Sequence, residues 1–415
     1  QDFDLVSIPE ASGGVINTAV ANNVRIDKWP FCRVGQPVWI QLRSTTNRDL
    51  RLAVGVTSAE FNAGRTLDLI PASYLSSLDN NSKVEVVAWV SMDESGSLET
   101  AQYFKVATYV TRKGAGEIIR HITVGNGPSQ IAISRDGKTV CVLNARAYSV
   151  SVINLASGAI RTSVYNYIYR LALHPTEPKL FLSANTNLSP NYQTPVLNLS
   201  TFTFSYPFAY GNSAAYAIGL NPTGSRMFVS NLTGGGNFAF ALFNTINNQI
   251  ERNFLGSPNP RAMLTNPQGT AIFTTGNNTD RYTFSSGVRT HTVANGGLAQ
   301  ELAHTGFDAP FERLYVSVSA LNRLDIYNTE NDGLTFVKSL TGLSDPRGIA
   351  FHPTRPLAYV AELAGNRVRV IDMNSETLIG TINGFDQPNG LACTPDGQYL
   401  LVCNSGNTTV AEVSI

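Results

Sequence analysis

Arg170, Arg261 and Arg347 each stand at the opening of a phrase that recurs along the chain. With them stand Ser129, Gln130, Tyr169, Tyr216, Gln300, Glu301 and Asn389. A guanidinium group presents a fork of N–H donors that suits carboxylates and other anions. Tyrosine adds a broad apolar face with a polar tip, and both side chains are enriched among residues that anchor binding sites. Arginines gathered at one mouth can hold a carboxylate or other anion; the plainer alternative is a set of solvated side chains capping a water-filled channel. Glu301 is the only acid of the set, and Glu362 stands nearby in its own repeat. A hydrolase would need one of these two as base and an arginine to stabilise the oxyanion.

Other reactive residue types are dispersed. His174 and His352 each precede a proline in the repeated phrase, and His304 occupies the same slot. Recurrence at a turn marks a structural position, whereas metal or haem binding needs ligands that converge. His121 and His291 fall in expected outer strands. Asp372-x-Asn374-x-Glu376 lacks the glycine and terminal glutamate of a calcium loop and reads as a turn. No GxSxG elbow is present. The cysteines Cys32, Cys141, Cys393 and Cys403 form no CxxC pair. A tight turn at Asp396-Gly397 places Cys393 opposite Leu400, not opposite Cys403, so all four read as buried free thiols. No catalytic residue, metal site or cofactor is expected.

These residues are carried by a repeat. Its clearest copies are GPSQIAISRDGKTVCVLN from Gly127, DPRGIAFHPTRPLAYVAE from Asp345 and QPNGLACTPDGQYLLVCN from Gln387. Aligned at the turn, seven copies fall on Arg135, Pro175, Pro222, Pro267, Thr305, Pro353 and Pro395, at steps of 40, 47, 45, 38, 48 and 42 residues. Short alternating strands with turn residues at a period near forty predict a seven-bladed β-propeller with four strands per blade. The last copy stops at TTVAEVSI without an outer strand, and EIIRHITVG stands as a surplus strand ahead of the first. Pairing of Glu117–Val124 with the C-terminal strand would close the ring and remove two free sheet edges. The inner strands are expected to be buried between neighbours, with small residues such as Ala132, Gly219 and Ala350 admitting the close approach.

Residues 1–112 carry no copy of the repeat. Alternation in Val38, Ile40, Leu42 and in Val84, Val86, Ala88, Val90 predicts an antiparallel β-sandwich, with one short helix opened by Pro71 and closed at Asn80-Asn81. Residues 113–116 read as a linker and 117–415 as the propeller. The pattern GQPVWIQL…LIPASYLSSL…VEVVAWVS resembles the immunoglobulin-like modules of bacterial surface and secreted proteins. The phrases TVCVLNARAYSVSVINLASGAI and LAYVAELAGNRVRVIDMNSETLIGTI resemble the YVTN repeat family over about residues 117 to 415, with the four letters degenerate as Cys141-Val142-Leu143-Asn144 and Tyr359-Val360-Ala361-Glu362. That resemblance implies a propeller. It spans surface-layer proteins, binding proteins, lactone-cleaving enzymes and haem-carrying propellers, and so leaves function open.

With 30 basic and 30 acidic residues and only 14% charged residues, the chain lacks the basic field that nucleic acid or an anionic membrane attracts. No apolar run is long enough for a transmembrane helix, so no membrane insertion is expected. A start at Gln1 reads as a processed form, and the polar, weakly charged composition suits a secreted, cell-surface or periplasmic bacterial protein. The expected function is a non-enzymatic binding, adhesion or scaffold module that takes a protein, glycan or small anionic ligand at the propeller face or channel mouth. The alternatives are a propeller-type lactone hydrolase and a structural, surface-layer-like subunit.

Overall fold

The structure is a computed structural model. It describes the chain except residues 1–4, 10, 12–13, 18–20, 22, 79–81, 94, 113–115, 166, 185–192, 210–214, 232–237, 256–259 and 306–311. It is nearly all-β and divides into two compact units, Gln1–Ile119 and Arg120–Val413, with Ser414 grouped with the first and Ile415 with the second. The linker expected at 113–116 falls largely outside the described residues. Among those described, no helix is long and apolar enough to cross a membrane.

In the first unit, a small sheet of Val6–Ser7, Asn23–Asp27 and Arg65–Leu69 faces a larger one built on Pro37–Arg43 and Lys83–Val90. Val24 and Ile26 of the small sheet share one core with Val38, Ile40, Leu42, Val84, Val86, Ala88 and Val90 of the large one, as period-two alternation requires. The expectation of a purely antiparallel sandwich needs correction. Val15–Asn17 pairs in parallel with Ala107–Arg112, with Val15 opposite Val110. The two strands lie nearly a hundred residues apart in sequence, so no hairpin turn dictates antiparallel pairing. The helix after Pro71 is Ala72–Ser77, capped at Leu78; the Asn80-Asn81 pair expected to close it lies outside the described residues. A second helix, Ser58–Ala63, was not anticipated. It opens on a capping box in which Thr57 Oγ1 accepts from the Glu60 N–H and the Glu60 carboxylate accepts from the Thr57 N–H. Buried Arg51 ties this helix to the sheets by pairing with both Glu60 and Asp68.

Among the described residues, seven four-stranded antiparallel sheets are built from the strands between Ile118 and Ser414. Six of them take four strands consecutive in sequence. The seventh has the order Ile118–Thr123, Thr409–Ser414, Tyr399–Asn404, Pro388–Cys393, so a strand from the start of the unit completes the last sheet. Val124 N–H donates to Thr408 O at 2.7 Å beside it. The first strands of successive sheets, Pro128–Ile133, Ile168–Leu173, Ala215–Leu220, Ala262–Thr265, Glu301–His304, Pro346–Phe351 and Pro388–Cys393, touch in a closed cycle. This arrangement is compatible with a β-propeller.

Burial follows ladder position. The second and third strands, such as Thr139–Asn144 and Ser149–Asn154, are almost wholly buried, whereas Ile131–Ile133 of the first strand are only half-buried. The expectation that the inner strands are buried between neighbours holds for Ala215–Leu220 and Pro346–Phe351 and only in part for Pro128–Ile133. Each first strand is the inner edge of its sheet, and one side of it faces the centre of the ring. The turn slot behaves as a latch. His174 Nδ1 accepts the Thr176 and Glu177 N–H groups, and the ring also bonds the Gly224 backbone of the next sheet. His352 repeats this, with Nδ1 accepting from Thr354 and Arg355 and Nε2 lying 3.1 Å from Gly397 O. Gly224 and Gly397 adopt φ of +73° and +68°, where a side chain is disfavoured and a Cβ would collide with the imidazole.

Candidate functional site

A backbone irregularity at the start of the first strands positions the candidate side chains. In the first sheet Pro128 pairs with Asn144 but Gln130 pairs with Leu143, so Ser129 is the extra residue of a β-bulge. Similar shifts occur between Ile168 and Arg170, Ala215 and Ile218, Pro346 and Ile349, and Pro388 and Leu391. They hold Tyr169, Tyr216, Arg347 and Asn389. Before several of these bulges the chain passes through positive φ, at Gly127 (+65°), Tyr167 (+54°), Asp345 (+52°) and Gln387 (+49°). A bulge bends its strand and re-aims the side chain that leaves the ladder. It recurs in five of the seven sheets and is absent where Ala262–Thr265 and Glu301–His304 pair with their second strands.

There a cavity of about 230 Å³ is lined by Ser129, Gln130, Tyr169, Arg170, Tyr216, Gln300, Glu301, Arg347 and Asn389, together with Ala145, Ile168 and Gly348. Arg261 does not line it, but its guanidinium carbon lies 4.6 Å from the centroid of the Tyr216 ring. Tyr216 in turn stacks on Tyr169, with centroids 5.1 Å apart and planes at 26°. Three successive sheets thus contribute to one stack, Tyr169–Tyr216–Arg261, held by offset π and cation–π contacts.

The charges are partly consumed. Arg170 pairs through Nη1 with Glu301 and donates through Nη2 to Gln300 O at 2.7 Å. Arg347 Nη2 donates to Asp345 Oδ2 at 2.9 Å, while its Nε has no partner among the described residues. Gln130 Oε1 accepts from Leu171 N–H at 3.0 Å, which commits the acceptor of that amide and leaves its NH2 group to donate.

No family model and no curated protein matches the chain. A solved structure does. Hydrazine synthase from Kuenenia stuttgartiensis is similar with a TM-score of 0.60 and 16% identity, over 70% of this chain and 96% of that one. At that identity the likeness is one of fold alone.

Glu362 is completely buried at the end of its strand. Arg367 Nε pairs with it, and Arg369 Nη1 lies 3.8 Å from its Oε1. The corresponding place in the first sheet is Asn144, which donates to Ser149 and Ser151. Glu362, Arg367 and Arg369 thus replace an Asn–Ser–Ser cluster as a set, with the one carboxylate set between two guanidinium groups. His304 is held by Thr305 O and Thr329 Oγ1, while His121 and His291 sit exposed on outer strands. Burial pushes the Cys141 and Cys393 thiols up to about 12, and Cys403 higher still. Sequence reasoning overlooked Gly348 and Asp345. The Asp345-Pro346-Arg347 run was the available signal for the second, since it sets an acid two residues before a candidate arginine. For Gly348 the signal was glycine in a strand: a Cβ there would lie within 3.0 Å of Leu391 N in the next sheet.

Proposed function

We propose that residues 117–415 form a seven-bladed β-propeller that works as a non-enzymatic recognition module, holding a glycan or small anionic ligand where the first strands converge. The N-terminal unit is read as an immunoglobulin-like spacer or docking domain, and the whole as part of a bacterial secreted or cell-envelope protein. The observation that carries the reading is the cavity itself: convergent amide, arginine and tyrosine side chains at the starts of the first strands, most of them beside a bulge. A lactone hydrolase is less well supported. Glu301 is paired with Arg170, and Glu362 is buried beside two arginines, so neither carboxylate stands in the cavity without a partner.

The test is ligand-observed NMR on the purified chain with a panel of neutral and acidic monosaccharides and small dicarboxylates, run beside a lactone-hydrolysis assay. Binding that is lost in Tyr216→Ala supports the module. No binding across the panel removes it, and lactone turnover abolished by Glu301→Gln would transfer the site to the hydrolase reading.

A further inference from the structure

We infer that Tyr148 and Tyr167 form a stacking platform for a neutral sugar ring at the border of the central cavity. The ligand is then the end of a neutral oligosaccharide, with one ring in the cavity and the next on the platform. This rests on the recognition-module reading and adds to it a second subsite, a chain length and an absence of charge.

A difference between repeats comes first. Where the fifth sheet meets the sixth, Asn322 stands just before a third strand, and its Oδ1 accepts from the Asp345 N–H at 2.8 Å. Where the sixth meets the seventh, Asn366 Oδ1 accepts from the Gln387 N–H at 2.8 Å in the same way. All four residues have positive φ, between +49° and +53°. Asparagine is one of the few side chains that visit this region readily. At the corresponding places between the first and second sheets stand Tyr148, at +47°, and Tyr167, at +54°. A bulky side chain is disfavoured there. The hydrogen bond gives way to a ring contact, with centroids 5.3 Å apart and planes at 57°. A tilted pair covers one face of one ring at most, and the two residues remain 45% and 47% exposed. Half-exposed rings on disfavoured backbone add little to the fold, and strain of this kind gathers at ligand-contacting positions.

Continuity comes second. Ala145, in the turn that carries Tyr148, lines the cavity, as do Ile168 and Tyr169, which follow Tyr167 directly. The platform therefore borders the cavity. Inside it Tyr216 lies between Tyr169 and Arg261, so the open aromatic surface is the one at the border. Size agrees. Liquid water takes about 30 Å³ per molecule, so about 230 Å³ holds roughly eight waters, room for one six-membered ring. Any longer chain must continue outside.

Charge comes third. Arg170 is paired with Glu301, and Arg347 with Asp345. Arg146 lies over Gly127 and reaches Gln387 Oε1 at 3.4 Å, toward the seventh sheet and away from the second, which carries Tyr167. The cavity instead presents the amides of Gln130, Gln300 and Asn389. An amide both donates and accepts, as a sugar hydroxyl does. A tyrosine ring packs the apolar C–H face of a pyranose while its phenol edge stays wet.

The experiment titrates the full chain, by NMR, with cellotriose, maltotriose, mannotriose and chitotriose beside glucose, mannose and N-acetylglucosamine. We expect at least one trisaccharide to bind about tenfold or more tighter than its own monosaccharide, because a second ring gains an aromatic contact. The double variant Tyr148→Asn/Tyr167→Asp copies Asn322 and Asp345. It should lose that gain, and its melting midpoint should rise by about 2 °C or more as the backbone strain is relieved. Equal affinities for trisaccharide and monosaccharide in the unaltered chain would overturn the platform and leave the recognition module standing. A gain that survives the double variant would also overturn it, as would a lower melting midpoint, which would assign the two rings to the fold. Light scattering that finds a dimer dissociated by the same variant would give the platform to a second copy of the chain and overturn the sugar. Absence of binding by every saccharide overturns the inference as well, and the dicarboxylate arm of the wider panel then decides the module separately.

Discussion

Arg170 and Glu301 lie in the second and fifth of seven sheets, 131 residues apart in sequence, and their side chains form an ion pair across the centre of the ring. Arg170 also reaches the Gln300 carbonyl, so one side chain ties two opposite sheets. With side-chain exposures of 13% and 26%, the pair is neither a surface bridge nor a fully buried one.

Its strength should accordingly fall between those limits. Arg170→Ala is expected to cost about 1–3 kcal/mol in urea unfolding, above the range of exposed pairs and below that of enclosed ones. Glu301→Gln should cost less, because Arg170 keeps its bond to Gln300 O. A double-mutant cycle over the two positions should show positive coupling. Additive losses would mean that the two side chains do not act together.

The Glu362 cluster offers a sharper contrast. Glu362→Asn alone leaves Arg367 and Arg369 facing each other without their counter-charge, and about 3 kcal/mol of stability should be lost. Adding Arg367→Ser and Arg369→Ser rebuilds the arrangement of Asn144, Ser149 and Ser151 and should recover most of it. A triple variant no more stable than the single one would show that the three residues do not form an exchangeable set.

The histidine latches predict a pH dependence. Burial is the main cause that holds His174, His304 and His352 below their ordinary value near 6.5. In the unfolded chain these rings bind protons more readily than in the folded one. Stability is therefore complete above about pH 6.5 and declines as pH falls through the lower folded values. The melting midpoint should drop between pH 7 and pH 5, above the range in which ordinary carboxylates titrate. A variant carrying His174→Asn and His352→Asn should show a shallower drop, and a wild-type midpoint flat over this range would contradict the latch.

Close approach between sheets should be intolerant of a single methyl group. A Cβ on Gly390 would lie 2.8 Å from Gln130 Cα and 2.9 Å from Ser129 O in the first sheet, both on backbone that cannot rotate away. Gly390→Ala is expected to destabilise by about 1–3 kcal/mol and to loosen the cavity wall formed by Ser129 and Gln130. By contrast, Gly380→Ala, where the nearest atom is a Val370 side-chain carbon at 3.4 Å, should be nearly neutral in the same melting experiment.

Much of the second unit was legible because its determinants are local. The Asp136-Gly137 and Asp396-Gly397 turns, the strand periodicity and the surplus strand ahead of the first repeat are short-range signals, and each describes a hairpin or an edge that the chain forms with near neighbours. The repeat phrase pointed to nine of the residues that line the cavity and also to Arg261, which does not line it. The capping box at Thr57 and Glu60 was just as local and was simply overlooked. Other features have no local determinant. The meeting of Arg170 with Glu301, the stacking of Tyr169, Tyr216 and Arg261, and the parallel strand Val15–Asn17 each join segments that only closure of a sheet or ring brings together. The sequence determined which side chains stand at the centre. The tertiary structure decided which of them are spent on one another, because charge pairing depends on distances across the ring and sequence separation does not encode them.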